Sequence, residues 1–417
     1  MFIPDSDVKI LRDLAKRVLE VSHDPVNVER RNEWFRHRRL EPGRPMILIE
    51  QGEIGPLVGI GERCICKDNW ARGQEYGMRS KLYMFEEVQD DHVVEPTVYA
   101  MWGVGSTDYG VQPVTHSAPT ADGARGSVKW DPPIQDLDKD FDKLKPRTFS
   151  VHREGTLEEK ARLEEVFDGI FDVQVGGWFW WTMGMTGTAI NLIGLEGLMM
   201  AMYDNPKGLH RLMAFLRDDH VNHALFVEKE GLLALNNRDH YIGSGSLGYT
   251  HELPSPGYTE GGPVRLKDQW VLSESQETVG VSPAMFDEFI YPYQLDLMKR
   301  FGLTYYGCCE PVNNRWHILK NIPNLRAISV SPWADQDVMA EGCGRKVIFC
   351  RKPNPASIST PKFDEEALKA DVRATCQAAR KCNFEIVMKD IHTFSGDRTR
   401  PVKWVKLARE VCDEFFA

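Results

Sequence analysis

Residues 303–311 read Leu303-Thr-Tyr-Tyr-Gly-Cys-Cys-Glu-Pro311. The run Leu303–Tyr306 predicts a short β-strand, and a glycine then leads into two adjacent thiols and a carboxylate before the proline. A strand that ends in such side chains is typical of the catalytic edge of an α/β barrel. The simpler interpretation is that Cys308 and Cys309 are small buried hydrophobic residues.

Strands and helices alternate on both sides of this stretch. Strand candidates lie at 46–49, 93–102, 147–151, 172–181, 232–235, 269–272, 303–306, 327–330, 347–350 and 385–388. Helices are predicted between the later strands and at 402–416, as right-handed crossovers require. The pattern predicts an α/β protein, a (β/α)8 TIM barrel with long inserted loops over residues 45–417. Residues 1–44, with an amphipathic helix at 5–22, form an N-terminal helical extension.

A long helix is predicted to begin at Asn205-Pro206, because the asparagine caps it and proline suits its first turn. Its apolar face carries Leu209, Leu212, Leu216 and Val221 at helical spacing. On this pattern His220 and His223 are predicted to lie on the solvated side.

Composition excludes several classes of protein. The chain has 417 residues, is 42% hydrophobic and carries a formal net charge of −10, which argues against a nucleic-acid surface. Neither a signal peptide nor a membrane-spanning stretch is predicted. The nine cysteines are scattered without a disulfide framework, which is typical of a reduced, cytoplasmic protein.

The residues that follow the predicted strands form a candidate working face, because parallel strands end at the same edge. They are polar and aromatic side chains: Glu50, Gln51, Met101, Trp102, Trp178, Trp180, Trp181, Asp239, His240, Glu274, Gln276, Glu277, Tyr306, Cys308, Cys309, Glu310, Trp333, Asp335, Arg351, Lys352, Lys389, Asp390 and His392. For each charged residue alone, a solvated loop is the simpler explanation. Two chemistries fit the set: zinc bound by thiolate, imidazole and carboxylate, or nucleophilic catalysis by a cysteine with His392 as base. We prefer the metal.

Several motifs resemble the uroporphyrinogen decarboxylase superfamily of barrels over roughly residues 40–417. They are Gly194-Leu-Glu-Gly-Leu-Met-Met200, Tyr203-Asp-Asn-Pro206, Tyr306-Gly-Cys-Cys-Glu-Pro311, Ser329-Val-Ser-Pro-Trp333 and Arg351-Lys-Pro-Asn-Pro355. The last three are similar to a divergent branch found beside corrinoid proteins. The resemblance implies either the haem-pathway decarboxylase or a zinc methyltransferase that exchanges a methyl group with a corrinoid protein.

The decarboxylase activity is disfavoured at two positions. Glu50 and Ile54 stand where the decarboxylase has arginines for substrate carboxylates, and a carboxylate there repels a polyanion. The stretch Tyr99-Ala-Met-Trp102 stands where that enzyme has its catalytic aspartate.

The methyltransferase activity fits better. The zinc enzymes carry His-x-Cys after a late strand and a cysteine after the last strand; here Tyr306-x-Cys308 and Lys389-Asp-Ile-His392 stand at those places. The resemblance and the barrel together predict Cys308, Glu310, His392 and Glu277 as metal ligands, the last three also as catalytic groups. Substrate-binding residues are predicted to be Glu50, Trp102, Trp180, Trp181, His240 and Tyr306.

The sequence therefore predicts a cytoplasmic, zinc-dependent methyltransferase. It would move a methyl group from a small methoxy- or methylamine-type donor to the cobalamin-type corrinoid of a partner protein, as one component of an O-demethylase-like system. Neither nucleic acid nor membrane is an expected partner, and a homodimer is the family habit. Two alternatives stay open: a decarboxylase or lyase acting on a small substrate, and a non-catalytic barrel that binds a tetrapyrrole or corrinoid.

Overall fold

A computed structural model describes residues 3–118, 127–178 and 182–416. The strands are β1 (Met46–Ile49), β2 (Thr97–Met101), β3 (Val104–Ser106), β4 (Val114–Ser117), β5 (Val128–Asp131), β6 (Phe149–Val151), β7 (Asp172–Gly176), β8 (Tyr241–Gly243), β9 (Ser246–Leu247), β10 (Trp270–Ser273), β11 (Leu303–Tyr306), β12 (Leu325–Val330), β13 (Ile348–Arg351) and β14 (Phe384–Met388).

The helices alternate with these strands along most of the chain. They are α1 (Asp5–Ser22), α2 (Pro25–Arg38), α3 (Gln51–Leu57), α4 (Asn69–Tyr83), α5 (Arg153–Phe167), α6 (Thr186–Ile193), α7 (Leu195–Asp204), α8 (Pro206–Lys229), α9 (Pro283–Phe289), α10 (Tyr291–Met298), α11 (Trp316–Leu319), α12 (Gln336–Cys343), α13 (Ala356–Ser359), α14 (Glu365–Ala378) and α15 (Arg400–Phe416).

The central sheet has six parallel strands in the order β1-β14-β13-β12-β11-β10. Every side chain of β1, β10, β11, β13 and β14 is buried, so both faces of these strands are covered. Burial on both faces is typical of parallel sheets. The predicted strand-and-helix alternation and parallel α/β class are confirmed.

Alternate residues of these strands belong to two separate apolar clusters. Ile47 and Tyr306 pack in the larger cluster, with the helices that cover the sheet. Leu48 and Tyr305 face the other way, onto Trp34 of α2 and the small β8–β9 hairpin. The hairpin and α2 therefore cover one face of the sheet.

A second parallel pair, β2 with β7, is separate from the six strands. Its residues Val98, Ala100 and Val173 pack in a third cluster with α1, α4 and α5. The predicted helix at 5–22 is confirmed as α1, and a second helix, α2, follows it; the two helices contribute to two clusters. The proposed domain boundary at residue 44 stays a prediction.

Hydrogen bonds do not close the parallel strands of the described residues into a complete ring. Beside β1, the Asp91 carboxylate accepts a hydrogen bond from Ile47 N at 2.7 Å and the Asp90 carboxylate accepts one from Ile49 N at 3.0 Å, in the place of a neighbouring strand. Between β7 and β10, the predicted strand 232–235 is instead an irregular buried segment whose Leu232 carbonyl accepts from Trp178 N at 2.8 Å. The coarser prediction of a parallel α/β fold holds, whereas full closure is not seen.

None of the helices in the described ranges has the length and apolar character needed to cross a membrane.

Candidate active site

The carboxyl ends of neighbouring strands bring reactive side chains to one edge of the sheet. Cys308–Glu310 follow β11, Lys389 and Asp390 follow β14, Glu274 follows β10 and Glu50 follows β1. Because these strands are parallel, their ends converge, as they do in α/β enzymes. Gly307 makes the turn after β11 with a φ of +93°, a conformation that favours glycine.

The two thiols lie at the centre of this edge. The sulfur atoms of Cys308 and Cys309 are 3.7 Å apart, and Lys389 Nζ donates to Cys308 Sγ at 3.5 Å. Asp390 Oδ2 accepts from the Lys389 ammonium at 3.0 Å and from the Cys309 thiol at 3.6 Å. The four side chains form a closed cycle of contacts, in which the single S–H group of Cys309 can donate either to Cys308 Sγ or to Asp390 Oδ2.

This cycle favours one thiolate. The hydrogen bond from Cys309 and the charge of Lys389 lower the pKa of Cys308 to about 6, against the opposing effect of burial. Burial lowers the pKa of Lys389, but the Cys308 and Asp390 charges outweigh it, so that this pKa is raised. At neutral pH Cys308 is therefore a thiolate beside the Lys389 ammonium group.

Two buried carboxyl groups lie beneath the thiols. Glu310 accepts from Ser275 N and from Cys308 N, both at 2.9 Å, and Glu274 accepts from Gln276 N at 2.9 Å. Burial raises the pKa of Glu310 to about 7, and burial together with the Glu310 charge raises that of Glu274 well above its usual range. The Glu310 contacts join the end of β10 to the end of β11.

A further carboxyl pair lies on the β1 side of the edge. Burial and the neighbouring Glu50 and Asp390 charges raise the pKa of Glu53 to about 7, although Ile391 N donates to its carboxylate at 2.9 Å. Asp390 itself has a φ of +61°, which is strained for a residue other than glycine. The strain is consistent with a position held for function.

Two cavities open near these groups. The mouth cavity, of about 390 Å³, is lined by Gln276, Glu277, Val279, Cys309, Pro311 and Trp333. The inner cavity, of about 120 Å³, is lined by Tyr99, Met101, Gly176, Gly177, Trp178, Ala234, Leu235, Asn236, His240, Tyr241 and Gln269. Tyr241, in the wall of the inner cavity, lies within electrostatic reach of Glu50, Lys389 and Cys308.

The structure brings some of the predicted site residues together. Cys308 and Glu310 are adjacent and buried, and Glu277 lines the mouth cavity while accepting from Thr186 Oγ1 at 2.6 Å. Glu50 lies in electrostatic reach of Glu53 and Tyr241. His240 lines the inner cavity.

Other predicted residues lie elsewhere. The Tyr306 hydroxyl donates to Gln294 Oε1 at 2.9 Å in the core, and Trp102 stacks under the Arg153 guanidinium at 5.4 Å; neither lines one of the two cavities. His392 is exposed. Trp180 and Trp181 fall outside the described residues.

The predicted zinc ligands do not fit a zinc ion as they stand. In the described ranges there is no group of three or more His, Cys, Asp and Glu side chains placed to hold a metal. The Lys389 ammonium contacts Cys308 Sγ, both Glu310 oxygens accept backbone N–H groups, and the His392 side chain is in solvent. A tetrahedral site needs these groups to converge.

The sequence placed Lys389, Asp390 and Glu274 on the working face, because they follow predicted strands, but it indicated no role for them. It did not single out Glu53 or Tyr241. The roles of these residues depend on contacts between parts of the chain that are distant in sequence. The Lys389–Cys308 contact, for example, spans 81 residues.

Comparison with known proteins yields a likeness in structure. No family model matches the sequence. No curated protein matches it either. Among solved structures the chain is similar to a methyltransferase from Methanosarcina mazei, with a TM-score of 0.50 and 14% identity over 93% of this chain and 99% of that one. The likeness is one of fold. It supports a fold shared with a methyltransferase, and the narrower resemblance to the decarboxylase superfamily stays a prediction.

Proposed function

We propose that the chain is a methyltransferase that moves a methyl group from a small methoxy- or methylamine-type donor to a corrinoid carried by a partner protein. The observation that carries this proposal is the thiol pair Cys308–Cys309, held against the Lys389 ammonium and opening through Cys309 onto the mouth cavity. A thiolate is a strong nucleophile towards a methyl carbon. The fold shared with a methyltransferase supports the same chemistry.

The thiol pair acts as the methyl acceptor inside this chain. One sulfur atom of the pair attacks the methyl carbon of the donor. The carbon–oxygen or carbon–nitrogen bond of the donor breaks, and a carbon–sulfur bond forms. The leaving oxygen or nitrogen takes a proton from a carboxyl group at this edge, for which Glu277, in the wall of the mouth cavity, is our candidate. The reduced corrinoid of the partner supplies the nucleophile that removes the methyl group and restores the thiolate.

Lys389 and Asp390 position and charge the pair. The ammonium group stabilises the thiolate before attack, and the Asp390 carboxylate holds the Cys309 thiol and the ammonium in place. Because the contacts already exist in the free protein, no rearrangement of these groups is needed to form the nucleophile.

The test is methyl transfer from methoxyarenes and methylamines to reduced cobalamin, followed by absorbance. Wild type is expected to turn over one donor class, and Cys308→Ala is expected to lose activity, while Cys382→Ala, before the amino-terminal end of β14, keeps it. Equal activity of wild type and Cys308→Ala would contradict the proposal.

Zinc, the cytoplasmic location and a homodimer stay predictions from the sequence, and no step above passes through a metal. Metal analysis of the reduced protein, with Cys308→Ala and His392→Ala beside it, addresses zinc separately. If wild type holds one equivalent of zinc and both variants lose it, the methyl acceptor would be a thiolate held by the metal and not the metal-free thiol pair.

A lyase acting by proton transfer is the second candidate. The raised pKa values of Glu310 and Glu53, both about 7, would suit a general acid at neutral pH. Release of CO₂ or another small fragment from a donor that transfers no methyl group would favour it.

A further inference from the structure

The mouth cavity combines a carboxylate with an exposed indole ring and a thiol. Glu277, Trp333 and Cys309 all line it. Trp333 is 66% exposed, and Glu277 and Cys309 are half-buried, so a ligand in the cavity reaches these side chains from solvent. Among the described residues that line the cavity, none is Lys, Arg or His. The wall therefore offers negative charge and an aromatic surface without a cationic side chain.

Glu277 is held in place by the first turn of α6. Its Oε2 atom accepts from Thr186 Oγ1 at 2.6 Å, and a Cβ atom on Gly187 would lie 3.3 Å from its Oε1 atom. The positive end of the helix dipole stabilises a negative charge at this place. The described residues donate no hydrogen bond to Oε1, so the carboxylate keeps capacity for a positively charged ligand.

The thiol edge beside the cavity does not offset this negative charge. The Lys389 ammonium group lies 3.0 Å from Asp390 Oδ2 and 3.5 Å from Cys308 Sγ, so its charge is matched by a carboxylate and a thiolate. With the Glu277 carboxylate added, negative groups outnumber this one ammonium group. A cation that enters the mouth cavity is therefore attracted, and an anion is repelled.

The indole of Trp333 gives the charge selection a shape. The face of an indole ring attracts a quaternary ammonium cation, and a neighbouring carboxylate supplies the counter-charge. A neutral methoxyarene could stack on the same ring, but it would bring no positive charge to Glu277. The two side chains together favour the cation.

We propose that the mouth cavity binds the methyl donor as a methylated ammonium cation, with Glu277 as its counter-charge and Trp333 as its aromatic wall. The inference deepens the proposed function and rests on it for the identity of this ligand as the methyl donor. It selects the methylamine class over the methoxyarenes. Glu277 and Trp333 are then specificity-determining residues.

The positive charge of such a donor also suits the transfer step. When a sulfur atom of the thiol pair attacks the methyl carbon, a carbon–sulfur bond forms and the carbon–nitrogen bond breaks. The electron pair of the broken bond stays on the nitrogen, which leaves as a neutral amine. The leaving group needs no proton in this step, so with this donor Glu277 acts as a counter-charge and not as a proton donor.

The test is calorimetric binding of choline and of 3,3-dimethylbutanol to the full chain without corrinoid. The two probes have nearly the same shape, but the quaternary nitrogen of choline is a carbon atom in the alcohol. Wild type is expected to bind choline about three- to tenfold more tightly. Glu277→Gln and Trp333→Leu are each expected to lower this preference about two- to fivefold.

Glu414→Gln is the matched control, because it removes the same charge from an exposed pair with Arg373 and is expected to keep the preference. Trp333→Leu changes an exposed side chain, so it serves if Glu277→Gln does not fold. Equal or tighter binding of the alcohol, absence of choline binding, or a preference that survives both variants would overturn the inference.

The transfer assay separates this inference from the proposed function. Cys308→Ala is expected to bind choline as wild type does. Choline binding that Glu277→Gln weakens, without methyl transfer from any donor, would refute the proposed function and leave the cation site standing. Methyl transfer from methoxyarenes but not from ammonium donors would overturn the inference and leave the proposed function standing.

Discussion

Cys308 and Lys389 make the contact on which the proposed chemistry depends. The sequence predicted Cys308 and Glu310 as site residues because both follow a strand in a resembling motif. It could not predict that Lys389 faces Cys308, because β11 and β14 are separated in the sheet by β12 and β13 and meet only at their ends. Cys308 was predicted as a metal ligand. Because its sulfur contacts the Lys389 ammonium group, it is paired with a cation of the protein itself.

Alkylation rates test the ionisation of the thiol pair. Iodoacetamide reacts with thiolates, so labelling of the Cys308–Cys309 pair is expected to rise with a midpoint near pH 6. The half-buried Cys382 is the internal control, because burial raises its pKa to about 11. Peptide mapping after short exposures measures both. A midpoint near the ordinary thiol value of about 8.5 would contradict the assignment.

Replacing the lysine tests its part in this ionisation. Lys389→Met keeps the length of the side chain and removes the charge, so the midpoint for the thiol pair is expected to rise by about one pH unit or more. Lys362→Met is the control, since that lysine is exposed and pairs with Asp364 at 2.8 Å. If the two variants gave the same midpoint as wild type, the ammonium would have no influence on the thiol.

At the scale of elements, local patterns predicted most strands and helices, and long-range contacts decided the exceptions. The helix α8 begins at Asn205-Pro206 as predicted, with Asn205 Oδ1 accepting from Gly208 N. The prediction that His220 and His223 lie on the solvated side of this helix was wrong. Both side chains are buried, and the centroid of the His223 ring lies 4.3 Å from that of Phe149 of β6, on which it stacks. Periodicity within one helix does not reveal that a distant strand covers its polar face.

Buried charges join α2 to the sheet and to the β8–β9 hairpin. The Glu385 carboxylate of β14 lies 3.2 Å from His37 Nε2 and 3.2 Å from the Arg38 guanidinium, and it also accepts from Ser246 Oγ. All four residues are buried. Removing the Glu385 charge leaves the buried Arg38 guanidinium without the counter-charge it contacts.

Glu385→Gln is therefore expected to lower the free energy of unfolding by about 3–5 kcal/mol, measured by urea denaturation. Burial opposes ionisation of Glu385, but Arg38 and His37 outweigh it and lower its pKa in the folded state. The stabilisation is thus full above the unfolded value of about 4.3 and is lost as pH falls below it. Glu414→Gln, at an exposed pair with Arg373, is the control and should leave stability unchanged. A stability of Glu385→Gln equal to that of the control would refute this role.

At the scale of the whole molecule, the parallel α/β class followed from the alternation of strands and helices. Barrel closure could not be read from that alternation, because it depends on what occupies the edge of β1. There the carboxylates of Asp90 and Asp91 accept the backbone N–H groups that another strand would bind. The pair β2–β7 consequently stands apart, and the inner cavity lies between β7 and the segment that precedes β8.

The mouth cavity reaches the thiol pair from the exposed side, where Trp333 is 66% exposed. In the proposed transfer the donor therefore reaches the thiols through the mouth cavity.

The most direct measurement of the central claim is the mass of the peptide that carries Cys308 and Cys309 after incubation with an isotopically labelled methyl donor, without corrinoid. We predict one labelled methyl group on this peptide, its loss on addition of reduced cobalamin, and none on the peptide that carries Cys382. An unlabelled peptide from protein that still methylates cobalamin would contradict the claim that the thiol pair accepts the methyl group.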